Sequence, residues 1–268
     1  MGTSEYMMES EDEARRLDLK TVPKTVQAHA LWAGLKPGMR VADLGCGSGK
    51  TSYYLNKLAQ PGGETIGMDN AKQRIDFARS TYQDDGLSFV RADIREDLSD
   101  LGQFDFIWVR FVLEYYRSES FEIVKNVTTL LKPEGILCLG DLDYNCLTHF
   151  GLPARLESAV TGMMATVEEK ANFDPYVGRK LYSFLYDLGF RDIDMHLAPH
   201  HLIFGDLKEI DAFNWTLKVK SRSVKAAYAF DQYEGGYDEF LEEFKKAFED
   251  PRRFTYTPII LCRGKKPA

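Results

Sequence analysis

The sequence has no run of about 20 apolar residues, the length that crosses a bilayer, so no membrane span is expected. Its opening, MGTSEYMMESEDEARR, lacks the apolar centre of a signal peptide, which predicts a soluble chain without a cleaved leader. The Met-Gly start also lacks the Ser or Thr that myristoylation wants where Tyr6 stands. Cysteine is scarce: Cys46, Cys138, Cys146 and Cys262 show no C-x-x-C spacing, and three of them fall in apolar or strand-like runs. That predicts reduced thiols and a cytoplasmic location. Basic residues are outnumbered, with 34 Lys and Arg against 41 Asp and Glu and a formal net charge of -7. A field of that sign does not gather polyanions, so nucleic acid is not an expected partner. The one dense basic stretch, residues 218–225, reads as a solvated helix face away from the active centre. Internal repeats and low-complexity tracts are absent.

What is present is a core. With 268 residues, 44% of them hydrophobic, the chain suits one domain carrying a sizeable insertion. From Met39 onward, short apolar runs alternate with helical patterns, the mark of a parallel sheet covered on both faces. Strands are predicted at residues 40–44, 64–68, 87–92, 104–109 and 136–142, with helices at 50–58, 71–82 and 118–131. The last of these rests on Phe121, Val124, Val127, Leu130 and Leu131 at helical spacing. Two helices at 153–171 and 178–188 follow, then a pair of late strands at 192–204 and 255–263. Residues 1–38 are expected to form a helical segment over the cofactor site, residues 39–205 and 251–268 the core, and residues 206–250 a cap insertion. Within that cap, Tyr237, Phe240, Leu241, Phe244 and Phe248 share one helix face.

The strongest local signal is VADLGCGSG over residues 41–49, a strand that passes through three glycines into a helix. Glycines permit the tight turn and a close backbone approach, and a helix start offers N–H groups to negative charge. By itself such a loop is also an ordinary strand-to-helix turn. Two further strand ends sharpen it. Asp69 follows the second strand and has two oxygens to hold a ribose diol, although an Asp there also caps a helix. Asp93 follows the third strand, where it can accept from an adenine amino group, with Ile94 supplying apolar surface.

In order, VADLGCGSGKT, GMD, VRADI, FDFIWVRFVLEY and LLKPEGIL resemble the motifs of class I S-adenosylmethionine-dependent methyltransferases, small-molecule type, across residues 40–143. The resemblance implies a Rossmann-like α/β fold with a mostly parallel seven-stranded sheet, helices on both faces and a helical cap. It also implies a site for S-adenosyl-L-methionine and its product S-adenosyl-L-homocysteine. Backbone at Gly45, Cys46 and Gly47, beside Ser48, would hold the methionyl portion. Asp43 would fix its amino group and Arg16 its carboxylate. Asp69 and Asn70 would take the ribose, Asp93 and Ile94 the adenine, and Arg110 and Phe111 would line the wall by the sulfonium. A nicotinamide oxidoreductase fits less well, because the loop is G-x-G-x-G without G-x-G-x-x-G spacing. A noncatalytic cofactor-binding or partner-binding module is the other reading, since a cofactor pocket alone does not make turnover.

Methyl transfer is an in-line displacement that alignment and water exclusion accelerate, so a dedicated base is optional. Val109-Arg110-Phe111-Val112 stands where methyltransferases of nucleic-acid amino groups often carry Asn- or Asp-Pro-Pro-aromatic, which favours a small organic acceptor. His149 is the candidate base, and Tyr115, Tyr144, His149 and Trp215 are the candidate substrate pocket. His200 and His201 would point to opposite faces of a strand, and no third ligand has suitable spacing, so no metal is predicted. The acceptor, the atom methylated and the oligomeric state are not legible.

Overall fold

Phe104, Phe106, Ile107, Trp108 and Val109 leave only Asp105 to break an apolar run, as suits a strand buried on both faces. A computed structural model describes residues 13–268 and makes that run the centre of the sheet. Residues 1–12, with the leader and myristoylation readings and the start of the expected N-terminal segment, lie outside the described residues.

Helices α1 (Glu13–Lys20) and α2 (Pro23–Ala33) precede β1 (Arg40–Leu44), and then come α3 (Lys50–Ala59), β2 (Glu64–Asp69), α4 (Lys72–Thr81) and β3 (Leu87–Arg91). The chain continues through β4 (Phe104–Arg110), α5 (Ser120–Thr128), β5 (Leu131–Leu142), β6 (His149–Phe150), α6 (Ala154–Lys170) and α7 (Leu181–Asp187). It closes with β7 (Arg191–Ile203), α8 (Glu209–Ala226), α9 (Gly236–Glu249) and β8 (Phe254–Lys265). The first five strands pair in parallel in the order β3-β2-β1-β4-β5. Strand β8 then runs antiparallel between β5 and β7. The expected long strands are all present, but the sheet has eight strands rather than seven, because β6 adds His149 and Phe150 to the start of β8.

One helix boundary differs from expectation. Residue Leu131 opens β5 opposite Phe104 instead of ending a helix, and α5 stops at Thr128. Leu130 and Leu131 satisfy a helical and an extended apolar pattern equally. The tie is broken by the Phe104 amide, which donates to the Leu130 carbonyl over 2.8 Å and seats the segment in the sheet.

Alternate strand residues feed two cores. Ile107, Val109, Leu137 and Leu139 pack with α5 and α7, while Phe106, Trp108 and Cys138 pack with α2 and α3. A separate aromatic core joins α8 and α9 through Trp215, Phe240, Phe244 and Phe248, and Leu156, Val160, Met163 and Met164 of α6 belong to it. Helix α6 thus shares one core with α8 and α9. No described helix is long and apolar enough to cross a membrane.

Candidate functional site

The strand order reverses between β1 and β4, and ligands of open α/β sheets bind in the crevice outside such a switch point. A cavity of about 480 Å³ lies there, walled by strand ends, α1 and residues of the cap. Its size suits a small-molecule ligand.

The glycine turn is built for close approach. At Gly45, φ is +84° and a Cβ would stand 2.3 Å from Val112 Cγ2, so no side chain fits. The turn is fastened to β2: the amides of Gly45 and Cys46 both donate to the Met68 carbonyl, at 2.7 and 2.8 Å, and the Gly47 amide donates to Asp69 Oδ2 at 3.0 Å. These three N–H groups are thus already engaged, and what Gly45, Cys46, Gly47 and Ser48 give the cavity is a close wall rather than free donors. Asp43 lies on the same wall, almost fully buried, with Ser52 Oγ donating to its Oδ2 at 2.6 Å. Burial pushes the Asp43 carboxyl up to about 7, against the Ser52 hydrogen bond and the Arg110 charge, which lower it.

Asp69 and Asn70 also line the cavity. Oδ1 of Asp69 accepts from the Ala71 amide at 3.0 Å and from Arg74 Nε at 2.9 Å, while Oδ2 accepts from Gly47. A carboxylate has about four lone-pair positions, so the expected two-oxygen grip on a diol reduces to one open position on Oδ2. Arg74 also reaches Asn70 Oδ1 at 3.2 Å. Asp93 is a correction: Arg95 takes both of its oxygens, at 2.9 and 2.6 Å, and it does not line the cavity. The side chain hydrogen bond from Arg95 holds its carboxyl below the usual range. Its neighbour Ile94 does line the wall, with Ala92 and Met68.

On the far side, Arg16, Arg110, Phe111 and Tyr115 line the cavity as expected. Phe111 has φ 59°, a strained value for an aromatic residue, and its ring lies 4.8 Å from that of His200.

His149, Tyr144 and Trp215 do not line it. Both ring nitrogens of His149 are engaged, Nδ1 with Thr255 Oγ1 at 2.9 Å and Nε2 with the Cys146 carbonyl at 3.2 Å. Its ring packs 5.0 Å from Trp215, and burial lowers its pKa to about 4. It pins the root of the cap to β8 and has no nitrogen left for a substrate proton. Trp215 is buried in the cap core, and Tyr144 is 45% exposed, 5.4 Å from the Tyr176 ring and beneath Arg179.

Sequence reasoning missed Lys20, Glu114, Asn145, His200 and Lys218, all in the wall. Lys218 corrects the reading of residues 218–225 as a solvated face, since it is only 5% exposed. The alternation that argued against a His200-His201 metal pair was the available signal that one of the two turns inward.

A parallel sheet with a late antiparallel strand slotted before its edge, and a crevice walled by a glycine turn and acidic strand ends, define the Rossmann-like methyltransferase class. The chain belongs to the methyltransferase domain family, whose model matches residues 35–188. It is 26% identical over 218 residues to an uncharacterized 37.1 kDa protein in transposon TN4556 of Streptomyces fradiae, a match covering 81% of this chain and 61% of that protein. Over 112 residues it is 34% identical to the 23S rRNA (uracil(1939)-C(5))-methyltransferase RlmD of Shewanella sediminis, covering 40% of this chain and 24% of the relative. The chain therefore spans less than two thirds of the length of these curated relatives, 61% of the first and 24% of the second. Phosphoethanolamine N-methyltransferase 2 of Haemonchus contortus, solved with S-adenosyl-L-methionine, shares the fold with a TM-score of 0.56 at 14% identity, covering 97% of this chain and 58% of that one.

Proposed function

We propose that the chain transfers a methyl group from S-adenosyl-L-methionine to a small organic acceptor by in-line displacement. The observation that carries this is one continuous cavity reaching from the glycine turn and Asp69 to Asn145 in the loop after β5 and Lys218 of α8. Cofactor and acceptor can then share one space, walled by α1 and the cap.

The donor set fits the cofactor. Asp43 holds the ammonium and Arg16 the carboxylate of the methionyl portion, Asp69 Oδ2 with Asn70 takes the ribose, and Ile94 packs against the adenine. When bound, the cofactor supplies an electrophilic methyl group whose transfer disperses the positive charge on sulfur. The residues' part is alignment, which brings two reactants together without a residue that must form a bond. Residues 206–250 together with α6 act as the cap, and α1 covers the cofactor. A small acceptor, rather than nucleic acid, is supported by the net charge of -7. The four free, buried cysteines support a reducing, cytoplasmic setting.

Calorimetric titration with S-adenosylmethionine and S-adenosylhomocysteine tests the reading, with a nicotinamide dinucleotide as the competing ligand. Binding of the sulfur compounds, weakened in Asp43→Asn, is the expected result. A preference for the dinucleotide would overturn it.

A further inference from the structure

The cavity has two halves of different charge. Toward β1, β2 and β3 it meets the carboxylates of Asp43 and Asp69, the second paired with Arg74. Toward α1, β7 and α8 it meets Lys20, Lys170, Lys218 and His200 against the carboxylate of Glu114, with Arg110 at the border, where the Asp43 charge also acts on it. Cations concentrated inside a chain of net charge -7 oppose one another and resist desolvation, so they burden the fold unless something of opposite charge joins them.

Several contacts define the vacancy in charge. Arg110 Nη1 is buried without a hydrogen-bond partner among the described residues. Its guanidinium lies 4.5 Å from the Phe111 ring centre, and the same ring lies 4.8 Å from that of His200 on β7. Lys218 donates to Asn145 Oδ1 at 3.3 Å, and Asn145 Nδ2 donates to Glu114 Oε2 at 2.6 Å, so the Glu114 carboxylate is already shared. Burial pushes the Lys20 amine well below its ordinary range, and the charges of Lys218 and Arg16 push it further. His200 is lowered by burial first, then by Lys20, Lys218 and Arg110. His200 feels Lys20, Lys218 and Arg110 together, and all four line the one cavity.

We infer that this half of the cavity seats an organic anion, and that the methyl acceptor carries a carboxylate or phosphate held among Lys20, Lys218 and Arg110 with His200 against it. The inference rests on the methyl-transfer reading above. An anion here would satisfy the buried Arg110 N–H. It would also stand between that guanidinium and the sulfonium of the cofactor, two cations that otherwise repel. The cofactor's own carboxylate is the competing source of negative charge, and the experiment separates the two.

The full chain, loaded with S-adenosylhomocysteine, is titrated calorimetrically with succinate, citrate, 4-hydroxybenzoate and phenyl phosphate. Succinamide and 4-hydroxybenzamide serve as uncharged counterparts. At least one anion should bind about tenfold or more tightly than the amides, and Lys20→Gln and Lys218→Met should each weaken it about tenfold. S-adenosylhomocysteine affinity should stay within about threefold in both variants. Ligand-free Lys20→Gln should also melt above the wild type, because a repelled buried cation is removed; a merely structural lysine would lower the melting temperature. Anions that bind no better than amides would overturn the inference. So would loss of S-adenosylhomocysteine binding in the lysine variants, which would give the cations to the cofactor. If the wild type fails to bind S-adenosylhomocysteine, the methyl-transfer reading falls by itself, and anion binding to the ligand-free chain still decides this one.

Discussion

Ser52 Oγ donates to Asp43 Oδ2 across 2.6 Å at a point where neither side chain meets solvent. One neutral hydroxyl leaves the carboxyl poised near neutrality, raised to about 7 by burial. An ammonium ligand requires the ionised form, so affinity for S-adenosylhomocysteine should weaken by about tenfold for each pH unit below 7. Asp43→Asn should remove that slope. Calorimetry between pH 5.5 and 8 reads both.

The same group sets a stability trend of opposite sense. Its folded pKa is raised above the unfolded value, so native Asp43 keeps a proton that the unfolded chain has released. The stability it contributes is present at low pH and is lost as pH rises through about 7. Asp43→Asn should therefore melt above the wild type at pH 8, with the difference shrinking toward pH 5. A constant difference across that range would contradict the assignment.

Arg74 and Asp69 form a buried pair at 2.8 Å. Removing the cation strands a buried carboxylate, and Arg74→Ala should lose about 3 kcal/mol in urea unfolding. Loss of under 1 kcal/mol, roughly the value of an exposed pair, would show that the pair is not desolvated.

His149→Gln should lose about 1–2 kcal/mol of stability while leaving the methyl-transfer rate, on any acceptor found, within a few-fold of wild type. Its folded pKa, lowered to about 4, also means that stability present above about 6.5 is lost as pH falls toward 4. The variant should unfold less steeply in acid. A hundredfold fall in rate with folding intact would restore His149 as the base.

Gly45→Ala should cost about 1–2 kcal/mol from its left-handed backbone alone, and more from the Val112 contact. Cofactor binding should fall with it, because the turn is part of the cavity wall. Thermal unfolding and calorimetry on one preparation check the two effects together.

The parallel half of the fold was readable because apolar strands and helices are ended by turns, as β1 is at Leu44-Gly45 and α3 is between Leu58 and Gly63. The Leu130-Leu131 boundary was not, since two apolar residues fit either period and a distant amide, that of Phe104, decides. At the cavity, the positions of Asp43 and Ile94 were legible from motif order, which fixes strand ends, whereas Arg16 lies on α1 ahead of those motifs. Asp93 shares that order, but its carboxylate is captured by Arg95 two residues on, an alternative partner that spacing does not rank. His149 and Tyr144 were misplaced for another reason. Their loop follows β5 as expected, but its path back to β8 turns His149 into the cap core. Lys218 was hidden because a basic helix face looks the same whether it meets water or a cavity.

Strand β8 lies between β5 and β7, and among the described residues it is the sole strand partner of β7. Until residues 254–265 have left the ribosome, β7 has no ladder to join and β5 has one edge bare. The sheet is thus completed by insertion, with the pairing of β5 and of β7 deferred until β8 emerges. Until then the growing chain carries β5 with one edge bare and β7 with neither edge paired.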